Sequence, residues 1–152
     1  MQPGGNDVNL RIRAYRETDE AAVATLWRRV FPDAPAWNRP EDDIRRKLTV
    51  QRELFLVAFL NNDLVGTAMA GFDGHRGWVY YVAVAPEQRR RGIGRQLMDA
   101  AERGLAATGC TKVNLQVRSG NDRVVAFYNQ LGYGEEPRVS MGKRLDKHEE
   151  PK

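Results

Sequence analysis

An α/β fold with a mixed central sheet of about six to seven strands flanked by about four helices is what this sequence predicts, and three observations carry that reading. Short β-branched and aromatic runs alternate with amphipathic stretches along the whole chain. The apolar run 78–84 leads through a proline-stopped loop and paired glycines directly into a helical pattern, a strand–loop–helix unit. At 152 residues, 41% of them hydrophobic and 29% charged, the chain is large enough for one real core.

Taken in order, Leu10 to Tyr15 alternates as a strand, and Thr18 or Asp19 caps a helix with Ala22, Val23, Leu26, Trp27 and Val30 on one face. Pro32, Pro35 and Pro40 break that helix. A second begins near Pro40, with Glu41, Asp42 and Asp43 in its first turn and Arg45, Arg46 and Lys47 later, the order the helix dipole favours. Leu54 to Leu60 and Leu64 to Phe72 flank the turn-forming Asn61-Asn62-Asp63 and read as a hairpin. Trp78 to Val84 is the next strand. Ile93, Leu97, Met98, Ala101 and Leu105 keep helical spacing up to Gly109. Lys112 to Val117 reads as a short strand, and Asn121 or Asp122 starts a helix that carries Val124, Val125, Phe127, Tyr128 and Leu131 and stops at Gly132. Tyr133 and Val139 to Leu145 supply final strands.

The expected organisation is a polar lead-in over 1–9, a single domain over 10–145 and a charged tail over 146–152. The start lacks the basic and apolar regions of a signal peptide, and no apolar run reaches bilayer-spanning length, so a cytoplasmic protein without membrane partners is expected. Twenty-four basic against 20 acidic residues give +4, a modest excess that favours an anionic ligand. Single Cys110 excludes an intrachain disulfide, offers no metal cluster and reads as a buried small hydrophobe.

The loop Ala85 to Arg95 carries the functional signal. Gly92 and Gly94 allow close backbone approach, the helix start exposes unpaired N–H groups, and Arg89, Arg90, Arg91 and Arg95 add charge, which together suit a pyrophosphate. By itself this loop is also compatible with a plain turn and a solvated arginine face. Leu97 stands where a dinucleotide fingerprint needs its third glycine, and no Gly-Lys-Ser/Thr follows. A nucleic-acid patch ranks lower, because the basic run is short and lacks interleaved aromatics.

With Arg89-x-x-Gly92-x-Gly94 joined by Asn121, Tyr128 at the seventh position after it, and Gly132-Tyr133, the chain resembles the GNAT acetyltransferase superfamily over about 10–145. Trp37-Asn38, the run 73–77, Asn121-Asp122 and the run 142–145 look like the small bacterial YpeA-type branch. The resemblance implies a GNAT-type acyltransferase fold and an N-acetyltransferase that moves an acetyl group from acetyl-CoA to a primary amine. It implies that the backbone of Arg90, Arg91, Gly92, Ile93, Gly94 and Arg95, beside Arg89, cradles the pyrophosphate. Val82, Ala83 and Val84 would pair with the pantetheine arm, Asn121 would hydrogen-bond it, and Tyr128 would protonate the departing thiolate. No metal is implied, and a homodimer is reasonable.

Tyr128 also fits a core aromatic on an amphipathic helix, and the correctly spaced Asn121 favours catalysis. Where some family members carry a glutamate on the strand before the loop, Trp78 stands here. His75 is the titratable candidate base, although a histidine in a turn is often structural. Deprotonation through ordered water, or an amine that arrives neutral, is an equal option. Phe31 to Lys47 and the 73–76 turn are expected to contact the acceptor. Trp37 is a candidate wall, and the acids at 41–43 are accounted for by the helix dipole alone. The other reading is a non-catalytic acyl-CoA-binding sensor with the same fold.

Overall fold

A computed structural model describes residues 9–146. The lead-in before Asn9 and the tail after Asp146 lie outside the described residues. The backbone groups into two compact units, one ending at Gln116 and one starting at Val117.

In the first unit, β1 (Leu10–Ala14), α1 (Glu20–Val30), α2 (Pro40–Lys47), β2 (Phe55–Leu60), β3 (Asp63–Phe72), β4 (Gly77–Val84), α3 (Ile93–Ala107) and β5 (Val113–Asn114) follow one another, with short 3-10 turns between them. The five strands lie in the order β1-β2-β3-β4-β5. β1 to β4 are antiparallel neighbours, whereas β5 runs parallel to β4, which requires the α3 crossover between them.

Alternation along β3 sets the layers. The Gly66 Cα lies so close to α3 that an added Cβ would meet Leu97 Cδ1 at 2.9 Å, while the hydroxyl of the next residue, Thr67, accepts from Trp27 Nε1 on α1 at 2.9 Å. Successive side chains of a strand point to opposite faces, so α1 and α3 cover opposite sides of the sheet. Val23, Trp27, Phe55 and Val57 are buried on one side, and Ile93, Leu97, Ala101 and Leu105 line the inward stripe of α3 on the other. On α1 it is Ala24, not the expected Ala22, that joins the buried face.

Asp19 starts α1, but its side chain does not cap that helix. Its carboxylate instead accepts two bonds from Arg13, at 2.8 and 3.0 Å, and one from Arg16 N–H at 2.9 Å. Helix α3 ends as the sequence requires. Gly109 takes φ +96, and Cys110 N–H donates to Leu105 C=O at 3.3 Å, the closure that a left-handed glycine allows. Cys110 is only half-buried, and its thiol donates to the Lys112 carbonyl at 3.2 Å.

The second unit holds α4 (Asp122–Gln130). Gly132, at φ +94, closes it with Tyr133 N–H on Tyr128 C=O at 3.0 Å. No strand follows among the described residues, so the sheet has five strands rather than six or seven. The expected strands at Tyr133 and 139–145 do not form. Val139, Met141 and Leu145 remain 88%, 90% and 93% exposed, so the apolar pattern there has no buried face to hold a ladder in register. The expected strand 112–117 shrinks to Val113–Asn114 for a related reason: only Gly77 and Trp78 of β4 pair with it.

Candidate active site

β4 is the element on which the site is built. Its ladder to β5 ends at Trp78, so from Val79 onward its backbone faces no strand on that side among the described residues. Toward β3 the register shifts between Thr67 and Met69, and Tyr81 and Val82 together oppose Ala68. This extra residue re-aims the strand at Tyr81, which takes φ +52, a value uncommon for a non-glycine residue.

Three contacts hold the strained residue. The Thr67 hydroxyl donates to the Tyr81 carbonyl at 2.7 Å. The Tyr81 ring stacks on the Trp27 indole, with centroids 3.7 Å apart and planes within 7°. The Tyr81 phenol donates to Asp43 Oδ2 at 2.5 Å. Burial and the Asp43 carboxylate raise the Tyr81 phenol pKa, so the side chain stays protonated over the physiological range. Asp43, in the first turn of α2, also holds Arg46 at 2.5 Å. Sequence reasoning read that acid as a helix-dipole feature and missed the pair, because the contact spans 38 residues and depends on the bulge.

Beside Tyr81 opens a cleft of about 350 Å³ between α1 and the 31–40 segment. Trp27, Phe31 and Tyr81 form its aromatic walls, Pro32 and Pro35 extend them, and Arg28 and Arg39 are its charged members. The Phe31 to Lys47 segment was expected here. The 73–76 turn was also expected, and none of its residues lines the cleft.

His75 is exposed in that turn, where His75 and Arg76 N–H both donate to Asp73 Oδ1, at 2.7 and 2.8 Å. Tyr81 lies six residues further on, roughly 20 Å at about 3.3 Å per strand residue. The turn and the bulge are therefore at different ends of β4.

Past Val84, Pro86–Gln88 makes one 3-10 turn and the chain enters the arginine loop. Arg29 of α1 clamps the turn through Glu87, at 2.6 Å. Arg90 and Gly92 both adopt left-handed backbone, at φ +67 and +78, and Gly92 is the residue from which α3 starts. The first amide bonded back into the helix is that of Gln96, to Gly92 C=O at 3.1 Å, so the N–H groups of Ile93, Gly94 and Arg95 have no intrahelical acceptor. α3 has no acidic residue in its first turn, and Arg89, Arg90, Arg91 and Arg95 are exposed around it. This donor set fits an anionic pyrophosphate. An added Cβ at Gly92 would find nothing within 4 Å, so the glycine answers the backbone angle and not crowding by the protein.

In the second unit Asn121 starts α4 without using its side chain as a cap, and the residue is exposed. Tyr128 is 9% exposed, with Phe127 and Tyr133 edge-on to its ring at 4.9 and 5.7 Å. Burial pushes its phenol up to about 12. No group of His, Cys, Asp and Glu able to hold a metal occurs among the described residues, and none of their helices is long and apolar enough to cross a membrane.

A bulged, one-sidedly open strand leading into a helix start ringed by exposed arginines defines the α/β architecture of this chain. The chain belongs to the acetyltransferase (GNAT) family, whose model matches residues 20–133. Its fold is shared with aminoglycoside N-acetyltransferase AAC(6')-Iy in complex with CoA, at 20% identity and a TM-score of 0.74 over 90% of this chain and 95% of that one. It is also shared with the ribosomal-protein-S18-alanine N-acetyltransferase of Escherichia coli, at 24% identity and a TM-score of 0.69 over 84% of this chain and 79% of that one. A Pyrococcus horikoshii acetyltransferase homologue aligns at 19% identity and a TM-score of 0.69 over 84% of this chain, which spans 44% of that protein's length.

Proposed function

We propose that this chain moves an acetyl group from acetyl-CoA to a primary amine by direct attack on the thioester. The observation that carries the reading is the loop: two left-handed residues, a helix start with free amides and four arginines, placed directly after the open edge of β4. Bound acetyl-CoA supplies a thioester carbonyl. The amides of Ile93, Gly94 and Arg95 with the surrounding arginines hold the pyrophosphate, and the edge of Val82 to Val84 that faces away from β3 receives the pantetheine arm. Asn121, whose amide is not spent on its helix, is assigned to that arm as well.

Tyr128 is assigned as the acid. A phenol at about 12 keeps its proton at neutral pH and gives it to the thiolate as the carbon–sulfur bond breaks. For the amine's proton, the Tyr81–Asp43 pair is better placed than His75. Tyr81 Oη can accept the amine's proton while its own passes to Asp43, which supplies from α2 the carboxylate that Trp78 denies to β4. CoA is the ligand in complex with AAC(6')-Iy, and N-acetylation is the activity in the names of two of the three proteins compared, which supports this class of chemistry. Trp37-Asn38, the run 73–77, Asn121-Asp122 and the run 142–145 are the ground for proposing the YpeA-type branch.

The test is thermal unfolding with acetyl-CoA, against coenzyme A and unrelated nucleotides, followed by thiol release with amines. At ligand about 100 times Kd the stabilisation should reach roughly 2.7 kcal/mol. A selective shift with no thiol release from any amine would favour the non-catalytic acyl-CoA sensor. No shift at all would remove both readings.

A further inference from the structure

We propose that the cleft between α1 and the 31–40 segment takes a free α-amino acid with an apolar side chain as the acetyl acceptor. This rests on the acetyl-transfer reading above and names the substrate class of that site. Three features of the cleft select it.

The first is the wall. Phe31 and Tyr81 with Pro32 and Pro35 give aromatic and apolar surface, backed by the buried Trp27 behind Tyr81, suited to burying a hydrocarbon or aromatic side chain. The second is charge. The two charged residues of the lining are Arg28 and Arg39. Arg28 is already bound to Glu41 at 2.8 Å, whereas Arg39 reaches Asp42 only through Nε at 3.7 Å, beyond hydrogen-bond length. The Arg39 side chain is 69% exposed, so its guanidinium can receive a carboxylate. The third is the state of the nearby acids. Glu41 is bound to Arg28, Asp42 lies between Arg39 and Arg45, and Asp43 holds Tyr81 and Arg46. A polycationic acceptor would therefore meet two guanidiniums and no uncommitted carboxylate in the described lining.

An amino acid meets each feature once. Its carboxylate pairs with Arg39, its side chain lies on the aromatic wall, and its amine faces Tyr81 Oη, whose proton is committed to Asp43 and whose lone pairs remain able to accept. The amine nitrogen then bonds to the acetyl carbon as the carbon–sulfur bond breaks. One amine proton leaves through Tyr81 to Asp43, the thiolate takes a proton from Tyr128, and the products are an N-acetyl amino acid and the coenzyme A thiol. The cleft volume of about 350 Å³ is at the small end for ligand pockets, which suits a single amino acid.

The experiment uses the full chain with phenylalanine, phenylalaninamide and spermidine as acceptors, read by thiol release, together with calorimetric titration of phenylalanine in the presence of coenzyme A. The expected order has phenylalanine at least about tenfold above phenylalaninamide in kcat/KM, the loss expected for one charge-assisted hydrogen bond, with spermidine last. Arg39→Ala should bring the first ratio close to one and weaken phenylalanine binding by about tenfold, and Arg39→Lys should restore part of both. Spermidine or phenylalaninamide equal to or better than phenylalanine would overturn the assignment while leaving acetyl transfer intact. If acetyl-CoA gives no thermal shift, the underlying reading fails by that measurement, and the calorimetry still decides the cleft: absence of phenylalanine binding at millimolar concentration, or binding indifferent to Arg39→Ala, overturns it.

Discussion

Trp27 and Tyr81 stack face to face, 3.7 Å between centroids and 7° from parallel, although one belongs to α1 and the other to β4. The contact exists because Tyr81 adopts φ +52 at the bulge, and that backbone is pinned by Thr67, which accepts from Trp27 and donates to the Tyr81 carbonyl. Thr67 is fully buried, so neither bond has water as a substitute. The cleft wall, the bulge and the Asp43 contact are consequently one coupled unit.

Thr67→Val keeps the shape and removes both bonds, leaving the Trp27 N–H and the Tyr81 carbonyl without their partner. A loss of about 2–6 kcal/mol is expected, since each of the two buried orphans costs about 1–3 kcal/mol. Urea unfolding followed by tryptophan fluorescence reads it, and an unchanged midpoint would show that the network is not coupled to stability.

Gly66→Ala tests the packing of the other face. The new methyl would stand 2.9 Å from Leu97 Cδ1 and 3.0 Å from the Ala83 carbonyl, and a backbone oxygen cannot swing aside. Overpacking of this kind costs about 1–3 kcal/mol. Gly92→Ala should behave differently, with no clash in the protein and only the positive-φ cost of about 1–2 kcal/mol, but a smaller acetyl-CoA thermal shift.

Asp19 makes stability fall with acid. Burial pushes its carboxyl up, but the Arg13 guanidinium and the Arg16 N–H outweigh that and hold it below the ordinary carboxylate range. A depressed folded pKa stabilises above the unfolded value, near 3.9, and that contribution disappears as pH falls through the lower folded value. Unfolding free energy measured from pH 6 to pH 2 should therefore drop less steeply in Asp19→Asn, which starts less stable at pH 6.

Tyr128 has the opposite sign. Its folded pKa of about 12 lies above the unfolded value near 10, so the stabilisation is complete below about 10 and lost as pH rises through about 12. Tyr128→Phe should flatten the alkaline limb of the stability curve. In the catalytic role it should also keep acetyl-CoA affinity and lower kcat by about 10²-fold or more. Turnover equal to the parent would remove the assignment.

Tyr81→Phe separates the two candidate bases. Loss of the phenol breaks the link to Asp43 and should depress kcat, whereas His75→Ala should leave kcat in place. The reverse result would return the role to the 73–76 turn.

Local pattern determined much of this protein. Periodicity gave α1, α3 and α4, Gly109 and Gly132 marked their ends because only a left-handed residue closes those helices, and Asn61-Asn62-Asp63 gave the β2–β3 hairpin. The arginine loop was legible for the same reason: its amides and charges are contiguous in the chain and need no distant partner. Strand existence was legible only in part, since a ladder requires an edge to pair with, and the apolar residues at 139, 141 and 145 found none while Val113–Asn114 found two residues of β4. The Trp27–Thr67–Tyr81–Asp43 unit was invisible. Its members are 14 to 54 residues apart, and a one-residue bulge decided which of them met. The chain's own order thus determined the helices and the arginine loop, where the interactions are local, and tertiary structure chose which strands form, the cleft and its hydrogen-bonded floor, because a shift of one residue in a strand exchanges the faces its side chains address.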